Sequence, residues 1–202
     1  MSDVLNRLGN LFFSLRSYTP IPLILIAFIY HQFRLPLVII GVLILIIGEM
    51  IRGWAVGYAG GRTRTRTINS ARNLVTTGPY AYTRNPLYLG NLLISSGICF
   101  VAGVLWLLPV LWILFLLQYI PIIITEEQFL AQTYDQLYQS YLTAVPRFGL
   151  RFSPYPKRSS HDFSLRRALK SEKRTLMAIG LLMTLLLGFE LVNCIFSQSV
   201  LN

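Results

Sequence analysis

Two polar segments interrupt an otherwise apolar chain, and their residue types suit the binding of a charged, aromatic small molecule. One contains Tyr80, Asn85 and Tyr88 among turn-forming glycine and proline residues. The other is the adjacent pair Glu126 and Glu127, at the end of a long apolar run. Irregular backbone and ionised side chains persist beside hydrocarbon only where protein, ligand or water satisfies their polar groups. These two segments are therefore the first candidates for a functional site.

Each segment also has a simpler interpretation without chemistry. Pro79 and Pro86 restrict the residues before them to extended backbone, which predicts turns whose N–H and C=O groups are free for a ligand. The same turns could form an ordinary connection into a helix, with tyrosines at the membrane interface. Helical spacing puts Glu127 on one face with Tyr138 and Tyr141, which is equally typical of a tyrosine stripe packed on a bundle.

Composition predicts one integral membrane domain covering 1–202. The chain of 202 residues is 54% hydrophobic and only 13% charged, well below the share of about 25% that is usual in soluble proteins. Its net charge of +10 is expected from basic residues that flank membrane spans, and no basic soluble module for nucleic acid remains outside them. No histidine or cysteine pattern with metal-ligand spacing is present in the sequence, so we expect no metal site.

Five apolar stretches predict an all-α, polytopic transmembrane bundle. If all five cross the membrane, every Lys and Arg except Arg34 lies on one side, which the positive-inside rule makes cytoplasmic. The N-terminus and both polar segments would then be cytoplasmic, the C-terminus would be on the opposite side, and the fourth helix would extend into the cytoplasm. A basic loop, 151–174, would precede an extra C-terminal span, 175–196. The predicted spans are Pro20–Phe33, Leu35–Ala59, Leu87–Gly103, Leu105–Ile124 and Thr175–Phe196.

Two further constellations could carry chemistry. Glu49 and Arg52 are three residues apart and share a helix face, so they could form an intramembrane ion pair, although Arg52 could also extend to the membrane surface. Pro146 and Arg147 end the extended fourth helix. Arg147 could return to pair with a carboxylate of the site, or it could bind lipid phosphate.

The order of these motifs resembles that of the isoprenylcysteine carboxyl methyltransferase family, which is grouped with the phospholipid methyltransferases. The resemblance covers roughly residues 35–150, a methyltransferase-like core. It is carried by LVTTGPY at 74–80, RNPLYLG at 84–90, a hydrophobic hairpin, and then Glu126-Glu127 followed by Pro146-Arg147.

The resemblance implies S-adenosylmethionine as cofactor, bound at the cytoplasmic face without a Rossmann domain, and a lipophilic or prenylated substrate from the membrane. Within such a site, Glu127 or Arg147 could orient the acceptor, and Glu127 could take a proton if the acceptor is an amine. The cofactor contacts implied by position are Arg72, Asn73, Leu74, Val75, Tyr80, Asn85, Pro86, Leu87, Tyr88 and Glu126.

Three positions depart from the family pattern. Asn85 stands where the family often has His, Asp135 stands where it usually has Gly, and Ile122 stands where the eukaryotic enzymes have a substrate-binding Arg. The resemblance therefore transfers cofactor and reaction class better than substrate. Prenylcysteine carboxyl O-methylation is the leading expectation. The alternatives are N-methylation of a lipid amine, a nicotinamide-dependent reductase, and a non-catalytic membrane binding or assembly protein.

Overall fold

A computed structural model describes residues 2–60, 74–157, 159 and 161–201. Over these residues all regular secondary structure is helical, as predicted. A short 3₁₀ helix, Gly78–Ala81, precedes the fourth helix. The six α-helices are α1 Ser2–Leu15, α2 Pro20–Ile29, α3 Leu35–Ala59, α4 Pro86–Val101, α5 Leu107–Ala144 and α6 Leu165–Leu201.

Within the described residues, two helices are long and apolar enough to cross a membrane. They are α3, which has the predicted bounds of the second span, and α5, which begins two residues after the predicted start of the fourth span and continues to Ala144. The first predicted span, Pro20–Phe33, is only partly helical, because α2 has 10 residues and ends at Ile29. The axis of α2 is bent by 47° from that of the end of α1. This bent pair could form a third span. The total of five spans, and the cytoplasmic location of the end of α5, stay predictions.

Glycines allow α3 and α4 to pack closely as an antiparallel pair. Gly41 and Gly48 on α3 face Gly97 and Gly90 on α4, and both pairs are spaced by seven residues. A Cβ atom on Gly48 would lie 3.0 Å from the carbonyl oxygen of Gly90, and one on Gly97 would lie 2.9 Å from that of Gly41. Small residues at such positions are typical of helix contacts in membranes. This contact places the start of α4 beside the end of α3.

The other helices line this pair and α5. The first helix, α1, lies along α5, where Phe13 packs with Tyr88 and Ile122, and Ile122 is fully buried, whereas α2 contacts α4. The last helix, α6, lies along α3, with Leu186 in a cluster with Leu45. Ser164 caps α6 by accepting a hydrogen bond from the backbone N–H of Arg167 at 3.3 Å. The second part of the predicted basic loop, from Leu165 onward, is therefore helical and continuous with the predicted fifth span.

The bundle has two chemically different ends. At the site end, defined here as the end where α3 stops and α4 starts, the 3₁₀ helix and the polar residues meet. At the opposite end, α4 and α5 are joined by the tight turn that the sequence predicts around Gly103, whose φ is +72°. A Cβ atom on Gly103 would lie 2.0 Å from the carbonyl oxygen of Gln32, so only glycine fits this turn.

Candidate functional site

The 3₁₀ helix at the site end is held from two sides. Gly78 has φ +60°, and a Cβ atom there would lie 2.3 Å from the ring of Tyr58, so the turn needs glycine. The hydroxyl of Tyr141, on the last turns of α5, donates to the carbonyl oxygen of Tyr80 at 2.7 Å. The predicted tyrosine stripe of α5 thus packs beneath the predicted polar loop and fixes its backbone.

A second set of backbone contacts joins the segment after α5 to the segment before α4. The two segments are far apart in sequence but lie side by side, so the site is assembled from both predicted motifs. The hydrogen bonds run from the N–H of Arg84 to Pro146 (3.0 Å), of Arg151 to Tyr82 (3.0 Å) and of Tyr155 to Ala81 (2.9 Å).

Glu126 lies among tyrosines. The hydroxyl of Tyr88 donates to its Oε1 atom at 2.9 Å, and the ring of Tyr88 packs on that of Tyr119 with centroids 4.9 Å apart. Burial of the Tyr80 hydroxyl, together with the nearby charge of Glu126, raises the pKa of Tyr80, so this hydroxyl stays protonated and can donate a hydrogen bond. Glu126 itself is half-buried, and the hydrogen bond from Tyr88 uses only one of the acceptor positions of its carboxylate.

Glu127, the next residue, is buried and bound by two arginines. Arg147 places Nη2 2.5 Å from Oε2 and Nε 3.2 Å from Oε1, and Arg84 places Nη1 3.4 Å from Oε1. The hydrogen bond to Glu127 raises the pKa of Arg147, so the guanidinium stays protonated. The two predicted catalytic residues, Glu127 and Arg147, therefore bind each other.

The remaining predicted cofactor residues have different surroundings. The side-chain amide of Asn85 donates to the carbonyl oxygen of Arg147 at 3.1 Å, and Pro86 is the fully buried first residue of α4. Leu74 is buried in a cluster with the α5 tyrosines, whereas Val75 and Leu87 are half-buried. The predicted contacts at Arg72 and Asn73 lie outside the described residues.

Buried polar atoms at the site test whether the expected cofactor fits. Nε of Arg84 and Oγ1 of Thr77 are buried and make no hydrogen bond within the part of the chain that the structure describes, whereas Nη1 of Arg84 is in the ion pair with Glu127. Because buried polar groups are normally hydrogen-bonded, these atoms suit the oxygens of a ligand. S-adenosylmethionine combines a cation, a carboxylate, ribose hydroxyls and an aromatic base. The carboxylate of Glu126, these donors and the tyrosine rings match that combination.

The sequence did not predict an ion pair between α3 and α6. Arg52 places Nη2 2.8 Å and Nε 3.2 Å from Oε2 of Glu172, and it also donates to Asn91 of α4. The stem of Arg52 lies against Gly90, where a Cβ atom would be 2.5 Å from Arg52 Cγ. The one available signal was Glu172 itself, an acidic residue within a basic segment.

Comparison with known proteins identifies the class of protein that this fold and site define. The chain matches the family model described as phospholipid methyltransferase over residues 9–137, and it belongs to that family. The match starts earlier than the expected core of 35–150 and includes α2 and the second half of α1. It ends before Arg147 and before α6.

Two relatives are named for metal resistance. Over 121 residues the chain is 33% identical to the cobalt-zinc-cadmium resistance protein CzcN of Cupriavidus metallidurans, covering 60% of this chain and 51% of that one. Over 125 residues it is 29% identical to the nickel-cobalt-cadmium resistance protein NccN of Alcaligenes xylosoxydans xylosoxydans, covering 62% and 55%. The chain thus spans about half the length of each relative. No solved structure matches the chain.

Proposed function

We propose that this protein is an integral membrane methyltransferase that uses S-adenosylmethionine and a lipophilic acceptor. The observation that carries the proposal is the Glu126–Tyr88 pair, in a half-buried site that α4 and α5 build together. Both residues lie within the part of the chain that matches the phospholipid methyltransferase family. The distribution of Lys and Arg supports a cytoplasmic site, open to a soluble cofactor, with the C-terminus across the membrane.

Each residue of the site has a binding or orienting role in this proposal. When bound, S-adenosylmethionine supplies a methyl group on a sulfonium cation. Glu126 offers a carboxylate to that cation, and Tyr88 fixes the carboxylate by its hydrogen bond. Arg84 and Thr77 offer donors to carboxylate and ribose oxygens. Methyl transfer is a displacement, so the protein accelerates it chiefly by positioning the reactants and excluding water.

Glu127 and Arg147 have a positioning role in the same proposal. They join the end of α5 to the segments on both sides of the site, since Arg84 and Asn85 also contact this pair. Glu127 would have to break its contacts with two guanidinium groups before it could take a proton from an acceptor. Holding the loop that carries Asn85 and Tyr88 is the role that its contacts support.

The charge of the site favours an amine acceptor over the prenylcysteine carboxylate that the resemblance suggests. A carboxylate acceptor needs a cation, but position 122 holds a fully buried isoleucine and Arg147 is bound to Glu127. An amine headgroup needs no cation at the site, so neither the isoleucine at position 122 nor the Glu127–Arg147 pair counts against it. Substrate mass spectrometry with both acceptor types distinguishes N-methylation from O-methylation.

The names of the two relatives favour one other candidate, a membrane protein without catalysis that serves metal resistance. In that case the basic start of α6 and the bundle surface would bind a partner, and the methyltransferase site would be degenerate. The two functions differ in a direct measurement. A degenerate site would bind neither S-adenosylmethionine nor S-adenosylhomocysteine.

The test uses the full chain in lipid nanodiscs, incubated with methyl-labelled S-adenosylmethionine and with amine-headgroup lipids or prenylcysteine. We expect label in a lipophilic product and S-adenosylhomocysteine binding by calorimetry, both lost in Glu126→Ala. Glu190→Gln, at the opposite end of the bundle, is the matched control and should behave as the wild type. Wild-type affinity in Glu126→Ala would refute the site. Thermal stabilisation by NADPH but not by S-adenosylhomocysteine would indicate a reductase.

A further inference from the structure

The last helix, α6, contributes a buried carboxylate close to the proposed site although it lies outside the family match. Glu172 has a side chain that is only 4% exposed, and Arg52, its partner, is 14% exposed. Burying both charges is costly, and a buried ion pair often adds little to stability compared with apolar packing. The pair is therefore a candidate for a role beyond stability.

From Glu172 a chain of side-chain contacts leads across the bundle to Glu126. Glu172 binds Arg52, Arg52 donates to the side-chain oxygen of Asn91, and the side chain of Asn91 lies beside the Tyr119 hydroxyl. The ring of Tyr119 packs on Tyr88, whose hydroxyl donates to Glu126. Each contact joins two different helices, and together they link α6, α3, α4 and α5.

This geometry constrains the Tyr88 hydroxyl. With Arg52 held by Glu172, the amide of Asn91 has its oxygen bound and its other end directed at Tyr119. Asn91 thereby positions Tyr119, whose ring packs on Tyr88, and Tyr88 in turn donates to Glu126. Without Glu172, Arg52 would be a buried cation with its carboxylate partner removed, and it would shift toward another acceptor. That shift would release Asn91 and, through the two rings, the orientation of Glu126.

We propose that Glu172 is a positioning residue for methyl transfer, and that α6 completes the site by holding Arg52 against Asn91. The inference rests on the proposed function, because it assigns Glu172 a role in placing the group that binds the cofactor. It adds that the segment matched by the family model needs α6 for full activity in this chain.

A second ion pair on α6 provides a matched control. Oε1 of Glu190 lies 3.3 Å from Nε2 of His31, eighteen residues after Glu172 and so about 27 Å further along the helix at 1.5 Å per residue. Both pairs join α6 to the rest of the bundle, but only Glu172 contacts the chain of side chains that leads to Glu126. If α6 merely packs, loss of either pair should have the same consequence.

The experiment compares Glu172→Gln and Glu190→Gln in nanodiscs, measuring kcat, KM for the acceptor and the Kd of S-adenosylhomocysteine. For Glu172→Gln we expect kcat to fall and Kd to rise, each by about threefold, less than the effect of losing the Tyr88–Glu126 hydrogen bond itself, with acceptor KM unchanged. Glu190→Gln should keep wild-type values, and Glu172→Asp should recover part of the loss. Wild-type kcat and Kd in Glu172→Gln, or equal losses in both variants, would overturn the inference.

A double variant, Arg52→Gln with Glu172→Gln, keeps the test decisive if the single variant folds poorly. Removing both charges avoids a lone buried cation, so thermal stability should recover toward that of the wild type. We expect kcat to stay low, because Asn91 loses its guanidinium partner. Recovery of kcat together with stability would show that the pair has only a structural role and would overturn the inference. If the wild type neither binds S-adenosylhomocysteine nor methylates, both the proposed function and this inference are refuted. If the wild type does both and Glu172→Gln matches it, only this inference is refuted.

Discussion

Two neighbouring carboxylates of α5 have opposite surroundings. Glu127 is buried and bound by Arg84 and Arg147, whereas Glu126 is half-buried and bound by the hydroxyl of Tyr88. One helical step rotates the side chain by about 100°, so adjacent residues face different neighbours. Glu127 faces the loops that close the site end, and Glu126 faces the start of α4.

The difference shows that two glutamates in one site can have separate roles. A carboxylate with both oxygens on guanidinium groups holds protein segments together, and removing it leaves buried cations. A carboxylate held by one hydroxyl keeps capacity for a ligand, and removing it leaves little protein structure unsatisfied. Stability should therefore depend on Glu127, and ligand affinity should depend on Glu126.

The largest expected effect is on stability, in Glu127→Gln. Breaking a buried ion pair by removing one partner costs about 3 to 5 kcal/mol, and we expect the lower figure because Arg147 is partly exposed. Thermal unfolding in detergent measures the loss, with Glu126→Gln as the neighbouring control. Equal melting temperatures for the two variants would remove the distinction between the carboxylates.

The second effect is on ligand affinity, in Glu126→Gln. A hydrogen bond or ion contact with a charged group is worth about 2 kcal/mol, so the Kd of S-adenosylhomocysteine should rise about 30-fold. The melting temperature should stay near that of the wild type, because Gln keeps an acceptor for Tyr88. Calorimetry checks the affinity, and an unchanged Kd would assign the cofactor to another group.

A smaller effect is expected for Tyr88→Phe. The change removes the hydroxyl that orients Glu126 and keeps the ring that packs on Tyr119. Loss of one such hydrogen bond is worth about 1 kcal/mol, so affinity should fall about fivefold. Tyr30→Phe, at the opposite end of the bundle, should leave affinity unchanged. A loss as large as that of Glu126→Gln would mean that the hydroxyl itself contacts the ligand.

The sequence predicted the elements of the site better than their pairings. Apolar length and proline positions identified α3, α5 and the turns before α4, because these signals are local. The spacing of Glu127, Tyr138 and Tyr141 predicted a shared face, and all three are buried. Local sequence patterns do not predict which arginine forms an ion pair with which carboxylate. The partner of Arg52 was sought at Glu49, three residues away, while the structure pairs Arg52 with Glu172 across 120 residues.

The sequence also did not predict the bend of α5. Helical periodicity runs without interruption from Glu127 to Tyr141, yet Asp135 has φ +40° and ψ −120° within the helix. This conformation suits glycine, because a Cβ atom makes it costly. Asp135 is also one of the positions where the chain departs from the family pattern, so the unusual residue and the unusual backbone coincide.

The smallest expected effect, and the only stabilising one, follows from this bend. Asp135→Gly should relieve backbone strain of about 1 to 3 kcal/mol. The greater freedom of glycine in the unfolded chain should cost about 1 kcal/mol, so the free energy of unfolding should rise by about 1 kcal/mol. Asp135→Ala keeps a Cβ atom and should give no gain. Because Tyr141 lies beyond the bend and holds Tyr80, the bend sets how the Glu127 half of the site closes. Thermal unfolding decides the matter: if Asp135→Gly melts below Asp135→Ala, α5 is straight at this position, and its last turns contact the loop in another register.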